Sequence, residues 1–178
     1  LKQEMIHLLK RNRKGIIFLS VIACIAIVMS LLNFDSTTVN KNRLATVSSG
    51  VFGAGVTYSL TDDGVLTISG TGEMADYGLE KSPPWDGLQK DIKAVVIEAG
   101  ITNVGAFVFY GCENMTSVVL PDSITYIGSE AFSECSSLQN ITLPSNIVSV
   151  RDSAFTNCNS LTSIAIPASV QNIGNHAF

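Results

Sequence analysis

Apolar positions in this 178-residue chain return every 23 residues, from about position 88 to the last residue. The unit ITNVGAFVFYGCENMTSVVLPDS (101–123) is followed by ITYIGSEAFSECSSLQNITLPSN (124–146), then IVSVRDSAFTNCNSLTSIAIPAS (147–169), then VQNIGNHAF (170–178). Half of an earlier unit is present too, because Ile92, Val95 and Ile97 precede Met115, Val118 and Leu120 by one period. A fixed period of this length means stacked units whose cores join end to end. Leu138, Ile141 and Leu143 recur as Leu161, Ile164 and Ile166, with Pro144 and Pro167 directly after. The single polar or small residue between the last two marks a half-buried strand, which the Pro ends. A second apolar pair follows (Ile124 with Ile127, Ile147 with Val150, Val170 with Ile173). Then come Ala131-Phe132, Ala154-Phe155 or Ala177-Phe178; Cys135 and Cys158 stand three residues beyond Phe132 and Phe155. This stretch predicts a tight helical or 3₁₀ turn folding Phe and Cys inward. No rung buries its apolar face alone; stacking at about 4.8 Å per rung does.

Upstream of the repeat the periodicity changes. Residues 51–87 open with a predicted β-hairpin in which Val56, Tyr58 and Leu60 alternate, Asp62-Asp63-Gly64 turns, and Leu66 and Ile68 alternate back. A first rung exposes its core unless something covers it, so the hairpin is expected to cap the stack. Trp85 in Pro83-Pro84-Trp85, at the junction, is expected to be a packing plug. Residues 35–50 are polar and aperiodic, the character of a tether. Residues 15–34 carry no charge, and the basic segment 1–14 with Lys10, Arg11, Arg13 and Lys14 precedes them. Twenty such residues span a bilayer core, and the positive flank places the repeats outside the cell. A transmembrane signal-anchor or a cleaved signal peptide both fit, and Val21-Ile22-Ala23-Cys24 also fits a lipoprotein box.

The register Ile127-Gly128, Ala131-Phe132, Cys135, Leu138, Ile141, Leu143, Pro144 resembles the BspA-type (treponemal-type) leucine-rich repeat. The likeness covers about half the chain, residues 88–178. The lead-in Leu66 to Gly72, Pro84-Trp85 and Val95 to Glu98 is similar to that family's as well. The resemblance implies a mainly β solenoid with short helical turns, behind a hairpin cap and an N-terminal signal or transmembrane helix. It also implies a bacterial protein, surface-displayed or secreted, of a family associated with adhesion. Two positions depart from the pattern. Arg151 occupies the slot of Gly105, Gly128 and Gly174, so a left-handed backbone is not obligatory there. Phe107 stands where Glu130, Ser153 and His176 stand, which would expose an aromatic on one rung.

Charge narrows the partners. Residues 35–178 hold six Lys/Arg against fourteen Asp/Glu, a net of about −8, and Arg151 is the one basic side chain after position 100. Nucleic-acid binding, which needs clustered cations, is excluded. The repeat surface is mostly Ser, Thr and Asn, suited to hydrogen-bonded contact.

Chemistry finds no constellation to work with. Cys112, Cys135 and Cys158 match no zinc spacing, and stacked equivalent positions point in parallel, a poor disulfide geometry; a ladder of buried thiols is expected. His7 precedes the apolar segment and His176 takes a solvated slot, while Asp62 and Asp63 belong to a turn. No catalytic residue, cofactor or metal is expected. Candidate contact positions lie between the inward residues of each strand: Ser117 and Val119, Asn140 and Thr142, Ser163 and Ala165. On another face Thr102, Asn103, Thr125, Val148 and Ser149 accompany Tyr126, the one attractive anchor. The chain is thus read as a non-enzymatic module that binds an extracellular protein or a cell-surface or matrix component. Because it stops mid-rung, the alternative is the targeting module of a larger secreted enzyme, catalytic beyond residue 178.

Overall fold

The computed structural model describes residues 45–178 except Leu79. The expected basic segment 1–14, the span 15–34 and most of the tether lie outside the described residues. Among the described residues no helix is long and apolar enough to cross a membrane.

Ten strands form two sheets. β1 (Thr46–Val51), β2 (Val56–Thr61) and β3 (Val65–Gly70) precede the repeats, and β4 (Ala94–Ile97), β6 (Ser117–Val119) and β8 (Asn140–Ile141) form one face of the rungs. Their order is β1-β2-β3-β4-β6-β8. The second face is the four-stranded sheet of β5 (Asn103–Val104), β7 (Tyr126–Ile127), β9 (Ser149–Val150) and β10 (Asn172–Ile173). Every rung-to-rung pairing is parallel and one period apart, as in Val118 with Ile141 and Ile127 with Val150. Inward residues at these slots, including Ile124, Ile127, Leu138, Ile147 and Val150, are buried in one apolar cluster.

The hairpin forms where expected, with Tyr58 opposite Ile68 and Gly64 turning at φ +90°. It is also more than an addition to the end. β3 pairs in parallel with β4, Leu66 opposite Val95, so it is a strand of the repeat sheet. The chain then continues as an incomplete rung: Gly72 N–H donates to Gly100 O, and Tyr77 N–H donates to Ala106 O. Residues 46–50, assigned to the tether, are instead strand β1, paired antiparallel with β2. Ser and Thr suit an edge strand with one face in water, so polarity hid it.

Rung interiors carry a column of rings. Trp85 stacks on Phe109 at 5.9 Å, Phe109 on Phe132 at 5.3 Å, Phe132 on Phe155 at 5.2 Å, and Phe155 on Phe178 at 5.4 Å. Trp85 is fully buried, its indole N–H donating to Val108 O at 3.0 Å, with Phe52 and Tyr58 edge-on against it. Each stacked pair adds about 0.5–1.5 kcal/mol beyond area burial, so the column outweighs any surface ion pair. The one ion pair among the described residues, Lys90 with Glu113, is exposed.

The Ala-Phe stretches are not helices. Amides alternate: Glu130, Phe132 and Glu134 donate to Asp152, Ala154 and Thr156 of the next rung, while Ser133 and Cys135 donate three residues back. Left-handed residues produce this alternation. Phe107, Glu130, Ser153 and His176 have φ between 52° and 58°, and Glu134 and Asn157 have 63° and 61°. Among the described residues the one helical element is a 3₁₀ turn, Gln89–Asp91.

Candidate binding surface

Parallel pairing in register stacks Asn140 over Ser117 on the outward side of the first sheet. Asn140 and Thr142 are exposed, whereas Ser117 and Val119 are half-buried. Ser163 and Ala165 do not continue this face: their segment forms no strand, no strand pairs with the far edge of β8, and Ile166 is 42% exposed. Both side chains are exposed in irregular backbone. The expected contact column therefore rests on two strands.

On the second sheet, pairing aligns Asn103, Tyr126, Ser149 and Asn172 in one column. Asn103 is fully buried and holds the lead-in. Its Oδ1 accepts from Met74 N–H at 2.6 Å, and its Nδ2 donates to Met74 O and to the Tyr126 hydroxyl. Tyr126 is half-buried, and the Arg151 guanidinium lies 4.4 Å from its ring centroid. Burial raises the Tyr126 hydroxyl above its ordinary pKa. Val148 and Thr125 beside it are exposed.

The glycine slot and the left-handed slot differ. Gly105, Gly128 and Gly174 do not have positive φ; they are small because neighbouring backbone crowds them. A Cβ on Gly128 would lie 2.5 Å from Ala106 N, and one on Gly174 would collide with Asp152. Arg151 stands where no such crowding applies, its side chain turned onto Tyr126. Left-handed backbone falls two residues later and costs about 1–2 kcal/mol for a residue with a Cβ. Irregular residue choice at that slot (Phe107, Glu130, Ser153, His176) and the Gly111/Asn157 match were the available sequence signals.

The thiols line the core beside the ring column. Cys112, Cys135 and Cys158 are buried and unbridged. Sγ of Cys135 donates to Phe109 O at 3.2 Å, and Sγ of Cys158 donates to Phe132 O at 3.1 Å. Burial pushes the Cys112 thiol up to about 12 and Cys158 up to about 11, and raises Cys135 well above the ordinary thiol range. Thiols held neutral are poor nucleophiles and poor ligands. Among the described residues no group of three His, Cys, Asp or Glu could hold a metal ion.

The BspA type leucine rich repeat region matches residues 88–178, in six copies. Among solved structures, a leucine-rich repeat protein from Eubacterium ventriosum is 31% identical, with a TM-score of 0.57 over 71% of this chain and 40% of that one. The T. pallidum leucine rich repeat protein is 24% identical, with a TM-score of 0.55 over 70% of this chain and 64% of that one, a likeness of fold. The chain thus spans less than half of the Eubacterium protein. No curated protein matches it. Repeat register, shared core and family match agree: this chain belongs to the BspA-type leucine-rich repeat family.

Proposed function

We propose that this chain is a protein-binding module displayed outside the cell, which contacts an extracellular protein or a cell-surface or matrix component. One observation carries this. Most apolar slots of the rungs are spent on the shared interior, while outward Asn140 stands in register over Ser117 on the first sheet, with exposed Thr142 just past the strand end. Such preorganised polar positions lose little entropy on binding and suit hydrogen-bonded protein contact. Tyr126, with part of its ring accessible, adds an amphipathic anchor on the neighbouring face. Surface display rests on the uncharged stretch 15–34 behind its basic flank, by signal-anchor or by secretion after cleavage. In this arrangement residues 51–87 shield the first rung, with Trp85 closing the ring column.

The test is solid-phase binding of the full chain to immobilised extracellular-matrix proteins and to whole cells. Binding should be saturable and weakened about tenfold or more by Asn140→Arg with Thr142→Arg, with unchanged melting. Saturable binding that ignores those changes, and also ignores Tyr126→Ala, counts against these faces. No binding to any surface counts against the function.

A further inference from the structure

The first rung differs from its successors on the turn face. Phe107 holds a left-handed position, φ +58°, which the other rungs fill with Glu130, Ser153 and His176. Three residues on, Tyr110 occupies the slot of Ser133 and Thr156 and is 44% exposed. Neither aromatic is demanded by the solenoid, since polar residues satisfy both slots elsewhere. Left-handed backbone belongs to every rung at this slot; what sets the first rung apart is a bulky ring there that is only half-buried. The two ring centroids lie 5.7 Å apart, the planes tilted by 45°.

These rings line a groove of about 430 Å³ between the first rung and the lead-in. Tyr77, Glu130, Asp86 and Gln89 also line the groove. Both of its charged side chains, Asp86 and Glu130, are carboxylates. Gln89 spends an N–H on Asp86 Oδ1 at 2.7 Å, leaving its own carbonyl oxygen and both carboxylates able to accept. Hydrogen bonds from the side chains of Gln89 and Ser82 hold the Asp86 carboxyl below its usual range. No Lys or Arg lines the groove among the described residues, although Lys81 sets its ammonium 5.0 Å from the Tyr77 ring at the margin. Residues 45–178 hold thirteen Asp/Glu against four Lys/Arg.

We infer that this groove, formed by Phe107, Tyr110 and Tyr77 with Asp86 and Glu130, is a docking site for an exposed arginine side chain of a partner protein. Guanidinium is planar and donor-only, stacks on aromatic faces, and meets carboxylates in a fork. A sugar would stack equally well, but it carries no positive charge to complement the two carboxylates of the rim. The site lies apart from the Asn140 and Thr142 face, so the two can succeed or fail separately.

The probe is a blocked Gly-Arg-Gly tripeptide, titrated against the full chain and followed by saturation-transfer NMR. Matched peptides carry citrulline or lysine, and maltotriose represents a glycan. The arginine peptide should bind saturably, less well as salt rises, and about tenfold better than citrulline. Phe107→Asn, which suits the left-handed slot, should hold or raise the melting temperature while weakening binding about tenfold; Tyr110→Ser should weaken it as well. Asn140→Arg with Thr142→Arg should leave peptide binding unchanged. Any one of four results overturns the inference: no saturable binding, equal binding of citrulline, maltotriose bound while arginine is silent, or Phe107→Asn binding like the parent. A fall in melting temperature for Phe107→Asn would also count against it, since the ring would then be structural.

Discussion

Phe132 and Phe155, one period apart, lie nearly parallel at 10° with ring centroids 5.2 Å apart. Each is also stacked on its other side, Phe132 on Phe109 and Phe155 on Phe178. Phe132→Ala therefore opens a cavity between two rungs, and should cost about 3–5 kcal/mol in urea denaturation. Phe178→Ala, at a ring that is 51% exposed, should cost about 1 kcal/mol or less. Equal losses at both sites would contradict a shared column.

Crowding at the rung interface gives a second expectation. Gly128→Ala puts its new Cβ 2.5 Å from Ala106 N and 2.7 Å from Gly105 C, and should lose about 2–4 kcal/mol. Gly111→Asn introduces no such contact and places at φ +71° a residue type already present at Asn157. It should stay within about 1 kcal/mol of the parent. Thermal unfolding of both variants decides between close approach and backbone twist as the reason for glycine.

Buried thiols give the chain a pH dependence. Folded Cys112 and Cys158 ionise near 12 and 11, above the ordinary thiol value of 9.0, which the unfolded chain keeps. Raised folded values mean that stability is whole below pH 9 and is lost as pH climbs towards 11 and 12. Between pH 9 and 11 Cys112 should remove about 1.4 kcal/mol per pH unit, and Cys158, which solvent screens more, should remove less. Native alkylation at pH 8, resolved by peptide mass spectrometry, should spare Cys112, Cys135 and Cys158, and urea should release these three together. Rapid native labelling of Cys135 would contradict its burial.

Asn103 joins the lead-in to the first two rungs through three side-chain hydrogen bonds. Asn103→Ala leaves buried backbone groups of Met74 without partners, and should cost about 2–3 kcal/mol. Hydrogen exchange should quicken at the Met74 amide while that of Phe155 stays slow. Uniform acceleration would show that the lead-in does not open by itself.

Sequence periodicity was enough to place the inward residues from Ile92 to Phe155, because a buried slot tolerates little but Leu, Ile, Val, Met, Phe or Cys at each return; Ile166 and Ile173, expected at the same slots, are exposed. It also located Trp85 as a plug and the hairpin turn at Asp62-Asp63-Gly64. The backbone path between those slots was less legible. Alternating amide direction at 130–135 leaves the same inward Phe and Cys that a 3₁₀ turn would, so hydropathy alone does not separate them. Asn103 was placed on an outer face because its strand neighbours are outward in later rungs, where no lead-in covers them. Ser163 and Ala165 were placed on a strand by analogy with 140 and 142, yet a strand needs a paired edge as well as a sequence.

Because each strand of the repeat pairs only with residues about one coil away, the fold is insensitive to how many coils there are. Duplicating or deleting one 23-residue stretch by unequal recombination would add or remove a layer about 4.8 Å thick and remake the same joints. Solenoid length could thus drift over generations without any joint having to be reinvented, while the differences among coils, such as the aromatics of the first, remain free to diverge.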